Sequence, residues 1–105
     1  MAVKKAFFLF NLKPGLKVED YMEWTVRVNH PGAARLNSIV EFHDYVTRSA
    51  MRDKPIAYQF VEEVTITDFD AYVQELSNPA RADEAKAWRD WVQEDYVILL
   101  TDIIK

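Results

Sequence analysis

Ala85-Lys86-Ala87-Trp88-Arg89-Asp90-Trp91-Val92-Gln93-Glu94-Asp95-Tyr96-Val97-Ile98-Leu99-Leu100-Thr101-Asp102-Ile103-Ile104-Lys105 carries a helix and a strand in immediate succession. Ala85, Trp88, Trp91 and Val92 recur at helical spacing, so one stripe of the helix is heavily apolar. A buried Trp removes about 200 Å² from water, worth about 5 kcal/mol at about 25 cal/mol per Å². Such a stripe anchors a small domain. From Val97 onward the residues are β-branched and aliphatic, and the period becomes that of a strand. Gln93-Glu94-Asp95-Tyr96 forms the joint.

Working outward, Asn78-Pro79 reads as an N-cap with proline at the first helical position, opening the Trp-rich helix. Before it, Phe69, Tyr72, Val73 and Leu76 form the stripe of another helix, capped by Thr67 or Asp68. Ile56 to Ile66 is predicted as a strand with Ile56, Tyr58, Phe60, Val64 and Ile66 on one face. Ile39 to Arg48 is predicted as its hairpin partner across the charged turn Arg52-Asp53-Lys54-Pro55. That strand places Glu41, His43, Tyr45 and Thr47 on one face and Val40, Phe42, Asp44 and Val46 on the other. Further back, Val18, Tyr21, Met22, Thr25 and Val28 form the stripe of a first helix with Trp24 on its flank. Asn29-His30-Pro31-Gly32 is expected to stop it. Ala6 to Leu12 reads as a first strand, apolar on both faces and ended by Lys13-Pro14-Gly15.

The order β-α-β-β-α-α-β predicts an α+β fold of ferredoxin-like split β-α-β type, with a four-stranded antiparallel sheet and one domain over residues 1–105. The first and last strands are apolar on both faces, so a homodimer covering the sheet face opposite the helices is expected.

Composition narrows the function classes. The 105 residues are half hydrophobic, enough for one core. Cysteine is absent, which excludes disulfides, thiolate catalysis and cysteine-held metal centres. The two histidines lack the close spacing of a metal motif, and no metal is expected. Gly-rich phosphate loops and dinucleotide fingerprints are missing, so no cofactor is expected. A net charge of -4 works against nucleic acid as a partner. The run Ala6 to Phe10 after Lys4 and Lys5 imitates a signal peptide but stops at Asn11. With no apolar run near the ~20 residues a membrane span needs, a cytoplasmic protein without a membrane partner is expected.

The resemblance to a known family rests on the joint. Gln93-Glu94-Asp95-Tyr96, following Trp88 and Trp91 and running into an apolar terminal strand, resembles the Arg-Glu-Asp-Tyr signature of the REDY-like family, with Gln93 in place of Arg. The length and element order resemble that family from end to end. The resemblance implies a dimeric α+β barrel arrangement and a place in prodigiosin-type pigment biosynthesis, in the methoxybipyrrole carbaldehyde branch. Two functions stay open: a small-molecule-binding protein, with or without cofactor-independent enzymatic activity, or a non-catalytic accessory protein that binds or stabilises another enzyme of that pathway.

Candidate site residues follow from the faces. His43 between Glu41 and Tyr45 offers an acid–base pair, a carboxylate fixing the tautomer of an imidazole. The same pattern also fits a hydrogen-bonded histidine on a half-exposed strand. Trp88, Asp95 and Tyr96 present an aromatic wall, an anion and a phenol to a flat heteroaromatic ligand, with Tyr21 and Trp24 lining the same space. Equally, these residues fit a capping Asp and an aromatic core. His30 follows the first helix, where an imidazolium is stabilised by the partial negative charge of the helix C-terminus.

Overall fold

The structure, a computed structural model, describes residues 4–105. Its elements are β1 (Lys4–Phe10), α1 (Val18–Trp24), a π-helical turn (Thr25–Asn29), α2 (His30–Ala33), β2 (Ile39–Val46), β3 (Phe60–Ile66), α3 (Phe69–Leu76), a 3-10 turn (Pro79–Arg81), α4 (Ala82–Arg89) and β4 (Val97–Asp102). The strands form one antiparallel sheet in the order β2-β3-β1-β4. The helices cover one face. This is the ferredoxin-like α+β arrangement that the element order predicts.

Alternation along β1 and β3 sends Ala6, Phe8, Phe10, Phe60, Val64 and Ile66 to the helix face, where all are buried. Aromatic rings fill the space above them. Phe10 stacks on Phe60 at 5.4 Å and meets Tyr21 and Trp88 edge-on. Trp91 packs between Tyr21 and Trp24. Edge-to-face and offset pairs of this kind add to plain area burial because positive ring edges meet negative faces.

The first helix departs from the sequence reading. Asn29-His30-Pro31-Gly32 does not end it, and helical structure continues to Ala33. The reason is the π turn, in which the His30 N–H reaches back five residues to the Thr25 carbonyl. That wider register places Pro31 in the first turn of α2, where a missing N–H is tolerated. The turn also changes which residues face inward. Thr25 is buried and Asn29 half-buried, while Met22 and Val28, expected on the buried stripe, are exposed.

Both hairpin strands are shorter than predicted, and Ile56 and Tyr58 lie outside β3. Side chains replace the ladder beyond Phe60. Asn11 accepts from the Gln59 N–H at 2.8 Å and donates to the Ala57 carbonyl, while Gln59 accepts from the Leu12 N–H. Arg52 and Asp53 have positive φ in the connection. Gly15, at φ +88, supplies the left-handed turn after β1.

The joint after α4 is pinned to the end of β1. Trp91 and Val92 fall beyond the last helical residue, and Val92 bridges Leu12. The Gln93 N–H donates to the Asn11 carbonyl and its side-chain amide donates to the Leu12 carbonyl, both at 2.9 Å. A neutral amide at position 93 therefore has a structural task. Asp68 and Asn78 cap their helical turns as the sequence indicates. Among the described residues no helix is long and apolar enough to cross a membrane.

Phe10→Ala removes a ring with no solvent exposure that touches three other aromatic side chains. It should cost about 3–5 kcal/mol of folding stability in urea denaturation. A loss under about 1 kcal/mol would show that the aromatic cluster collapses around the gap.

Candidate functional site

A cavity of about 200 Å³ lies between the sheet and the helices. Phe8, Phe42 and Ile98 form its sheet side, Tyr72 and Leu76 come from α3, and Ala85 and Trp88 come from α4. Tyr96 closes it beside Trp88, with ring centroids 5.1 Å apart. At the rim, Glu84 accepts from Arg81 at 3.1 and 3.2 Å and from Arg35 at 3.1 Å. Burial works against the Glu84 charge, but hydrogen bonds from Arg35 and Arg81 hold its carboxyl below the usual range.

Glu62 and Asn29 provide polar groups inside this otherwise largely apolar space. Glu62 is only 4% exposed. It stands on the inward side of β3 between Phe60 and Val64, a parity otherwise reserved for the core. Across the ladder it faces Asp44 of β2. Burial, and next the neighbouring Asp44, push the Glu62 carboxyl well above its ordinary range. Glu62 is therefore held as the neutral acid, since an ionised carboxylate at such a site would be strongly disfavoured.

The π turn supplies the partners of this pair. Asn29 Nδ2 donates to Glu62 Oε1 at 3.4 Å and to Thr25 Oγ1 at 3.1 Å. The Thr25 hydroxyl donates to Asp44 Oδ2 at 3.2 Å, and His30 Nε2 lies 2.5 Å from the same oxygen. Asp44 Oδ1 is buried and has no N–H partner. Glu62 is the cross-strand neighbour of Asp44, and its neutral form carries an O–H that can supply the missing donor. Behind the cavity the Trp88 N–H donates to the Tyr21 hydroxyl at 3.1 Å. Burial first, then Glu62 and Asp44, raises the Tyr21 hydroxyl above its ordinary value and keeps it protonated.

The structure separates the candidates drawn from the sequence. Trp88 and Tyr96 line the cavity, and Tyr21 sits behind its wall. Trp24 packs in the core against Tyr21 and Trp91 and does not line it. Asp95 is exposed on the joint, because α4 ends at Arg89 and the Trp88 stripe does not extend to position 95.

Glu41, His43 and Tyr45 lie on the opposite sheet face, since Phe42, Asp44 and Val46 take the helix-facing parity of β2. His43 Nε2 is 3.7 Å from Glu41, and both side chains are more than half exposed. Tyr45 donates to Glu63 at 2.7 Å, and Lys5 donates to the same carboxylate. His43, Glu41 and Tyr45 therefore stand outside the cavity, and the acid–base group expected at His43 is not part of it. Sequence reading passed over Glu62, although an acid in the Phe60, Val64, Ile66 parity was the available signal.

The family model of the REDY-like protein HapK matches residues 4–104. The chain belongs to the REDY-like HapK family. Among curated proteins no sequence match is found. The crystal structure of HapK from Hahella chejuensis is similar at 16% identity and TM-score 0.75, over 97% of this chain and 94% of that one. SnoaB from Streptomyces nogalater, described as a cofactor-independent oxygenase, gives 17% identity and TM-score 0.74, over 100% and 96% of the two chains. A dabb family protein from Mesorhizobium loti with a ferredoxin-like fold gives 14% and 0.72, with both chains covered completely. At these identities the solved structures establish the fold.

The raised Glu62 carboxyl fixes a sign for stability against pH. Its contribution is full below the ordinary carboxylate range, where folded and unfolded chains both hold the proton. As pH rises toward the higher folded value, the unfolded chain releases the proton first and stability falls by about 1.4 kcal/mol per pH unit. Glu62→Gln keeps a neutral donor toward Asp44, so melting curves of the variant and wild type should coincide in acid and diverge in the variant's favour toward neutral pH. Parallel curves throughout would mean that Glu62 is ionised in the folded protein.

Proposed function

We propose that this chain binds a small, flat heteroaromatic molecule in the cavity and exchanges a proton with it at Glu62. The observation that supports this reading is a buried carboxyl, pushed toward its neutral form, in a cavity with aromatic and aliphatic walls. At about 200 Å³ the space is smaller than that of a drug-sized pocket, which suits one or two small rings. Trp88, Tyr96 and Phe8 offer ring faces and edges, while Glu62 and Asn29 offer hydrogen bonds. A pyrrole-type intermediate has both properties, a planar π system and a polar N–H or carbonyl. Family membership supports placing it in the methoxybipyrrole carbaldehyde branch of prodigiosin-type biosynthesis. The chemistry within reach is cofactor-independent proton transfer, with the acid donating and its carboxylate recovering the proton.

A second reading is a non-catalytic accessory protein for another enzyme of that branch. It is favoured by the free edge strand β4, where Ile98 and Leu100 stay more than 40% exposed on the helix side of the sheet. On the outer face, Phe7 pairs with Leu99 and Leu9 with Val97, forming an apolar strip that supports a homodimer through this face.

Ala85 lines the cavity, and Ala85→Phe would fill it. Titration with a bipyrrole carbaldehyde, followed by tryptophan fluorescence, should show saturable binding that this variant weakens about ten-fold or more. Product formation in the same samples marks an enzyme. Unchanged affinity in the variant would remove the ligand from this cavity, and binding only to a partner enzyme would favour the accessory reading. Separately, Leu99→Asp should shift wild-type dimer toward monomer in sedimentation at micromolar concentration. A wild-type protein that sediments as monomer would overturn the dimer.

A further inference from the structure

We propose that His30 is the solvent port of the buried site, passing protons through Asp44 to Glu62 on a path separate from the cavity mouth. The proposal rests on Glu62 being the proton-exchanging group of the cavity. A ligand in contact with Glu62 covers it from the cavity side, so a reacting Glu62 needs another route to recover its proton.

The geometry supplies one. Asp44 touches Glu62 on one side and lies 2.5 Å from His30 Nε2 on the other. The His30 side chain is about a third exposed, at 32%, whereas that of Asp44 is at 13%. His30 opens onto a surface depression formed with Val26, Pro31, Ala34 and Val40, which meets the Glu62 cavity only across the Ile39 and Phe42 wall, and onto a second depression that Asp44 also lines. Its ring is held edge-on to Phe42 with centroids 4.5 Å apart. Thr25 fixes the shared Asp44 oxygen by a second hydrogen bond. The path is short, and the Asp44 carboxyl and the His30 ring are its two turning groups.

The proton balance closes. Glu62 gives its proton to the bound base, leaving two facing carboxylates. The His30 imidazolium then gives its Nε2 proton to Asp44 Oδ2, and after rotation of that carboxyl the proton passes to Glu62. Asp44 ends as it began, and neutral His30 turns its ring so that the vacant Nε2 meets solvent, takes a proton there from hydronium or a buffer acid, and turns back. Reversing each step carries a proton out.

Other charged and titratable groups meet the path from every packed element. Tyr21 from α1 and Tyr72 from α3 approach Glu62, and both hydroxyls stay protonated because burial raises them. Arg81, Glu84 and Arg89 line the cavity, and Glu41 and Tyr45 border the depressions that His30 lines. Arg81 and Glu84 are engaged with one another, leaving His30 as the imidazole in contact with the carboxyl pair.

The test uses the full, ligand-free chain and the infrared C=O band of the protonated carboxyl pair, assigned by its change in Glu62→Gln and Asp44→Asn. After a pH jump, relaxation of that band should slow on the order of ten-fold or more in His30→Gln, and imidazole added to the buffer should restore it. An unchanged rate, or slowing that imidazole does not restore, would overturn the port. Should His30→Gln fail to fold, the wild type still decides. Its relaxation rate should follow the protonated fraction of His30 read from ring-nitrogen NMR, and a rate independent of that fraction would overturn the proposal. Ligand affinity of Ala85→Phe is a separate measurement, so loss of the port and loss of the binding reading are distinguishable.

Discussion

Two carboxyl groups facing each other across β2 and β3, on the side of the sheet that also holds Phe60 and Val64, set the terms for much of this structure. An acidic pair cannot sit there with both members ionised and unpartnered. The chain answers with a Glu62 carboxyl pushed toward its neutral form and a ring of donors. Thr25, Asn29 and His30 come from consecutive turns of one helix, and a regular α-helix would not bring all three to the same side. The π turn does so, at the cost of helical hydrogen-bond geometry, and such turns recur at functional sites. Backbone irregularity and buried acid are therefore two aspects of one arrangement.

Trp88 links this polar centre to the aromatic core. Its ring meets Phe8, Phe10 and Tyr96, and its N–H is satisfied by Tyr21, whose hydroxyl also lies beside Thr25. The same residue thus packs the interior, forms a cavity wall and touches the edge of the polar network. Because protein interiors are close-packed, a space of about 200 Å³ beside such a cluster is unusual enough to call for an occupant. The REDY-like HapK family provides the scaffold for it, a sheet with one face covered by helices and one face bare.

The bare face has a different character on each half. Toward β4 it is apolar, through Phe7, Leu9, Val97 and Leu99. Toward β2 it carries Lys5, Glu41, His43, Tyr45 and Glu63, linked by hydrogen bonds and ion pairs. Lys5, and next Tyr45, hold the Glu63 carboxyl below its ordinary range by donating to it. Exposed pairs of this kind add little stability in water, so their value lies in orienting side chains on that surface.

Much of the fold was legible in the sequence because periodicity is a local property. Hydrophobic spacing gave the order of strands and helices, Asp68 and Asn78 marked helix starts, and the two-sided apolar strands announced a face in need of cover. The absence of cysteine removed whole classes of chemistry. Alternation also divided β2 into two faces correctly, with Glu41, His43 and Tyr45 together. Alternation is blind, however, to which face meets the helices. In β2 both faces mix polar and apolar residues, and only pairing with β3, whose Phe60, Val64 and Ile66 face the core, turned Asp44 inward and His43 outward. The continuation of the first helix through Pro31 was likewise hidden, since the wider turn that accommodates it is selected by contacts with residues 44 and 62, distant in the chain. Sequence determined the elements and their apolar stripes; tertiary structure decided the site, because two acids and a histidine far apart in the chain become neighbours only when the strands pair and the helix packs across them.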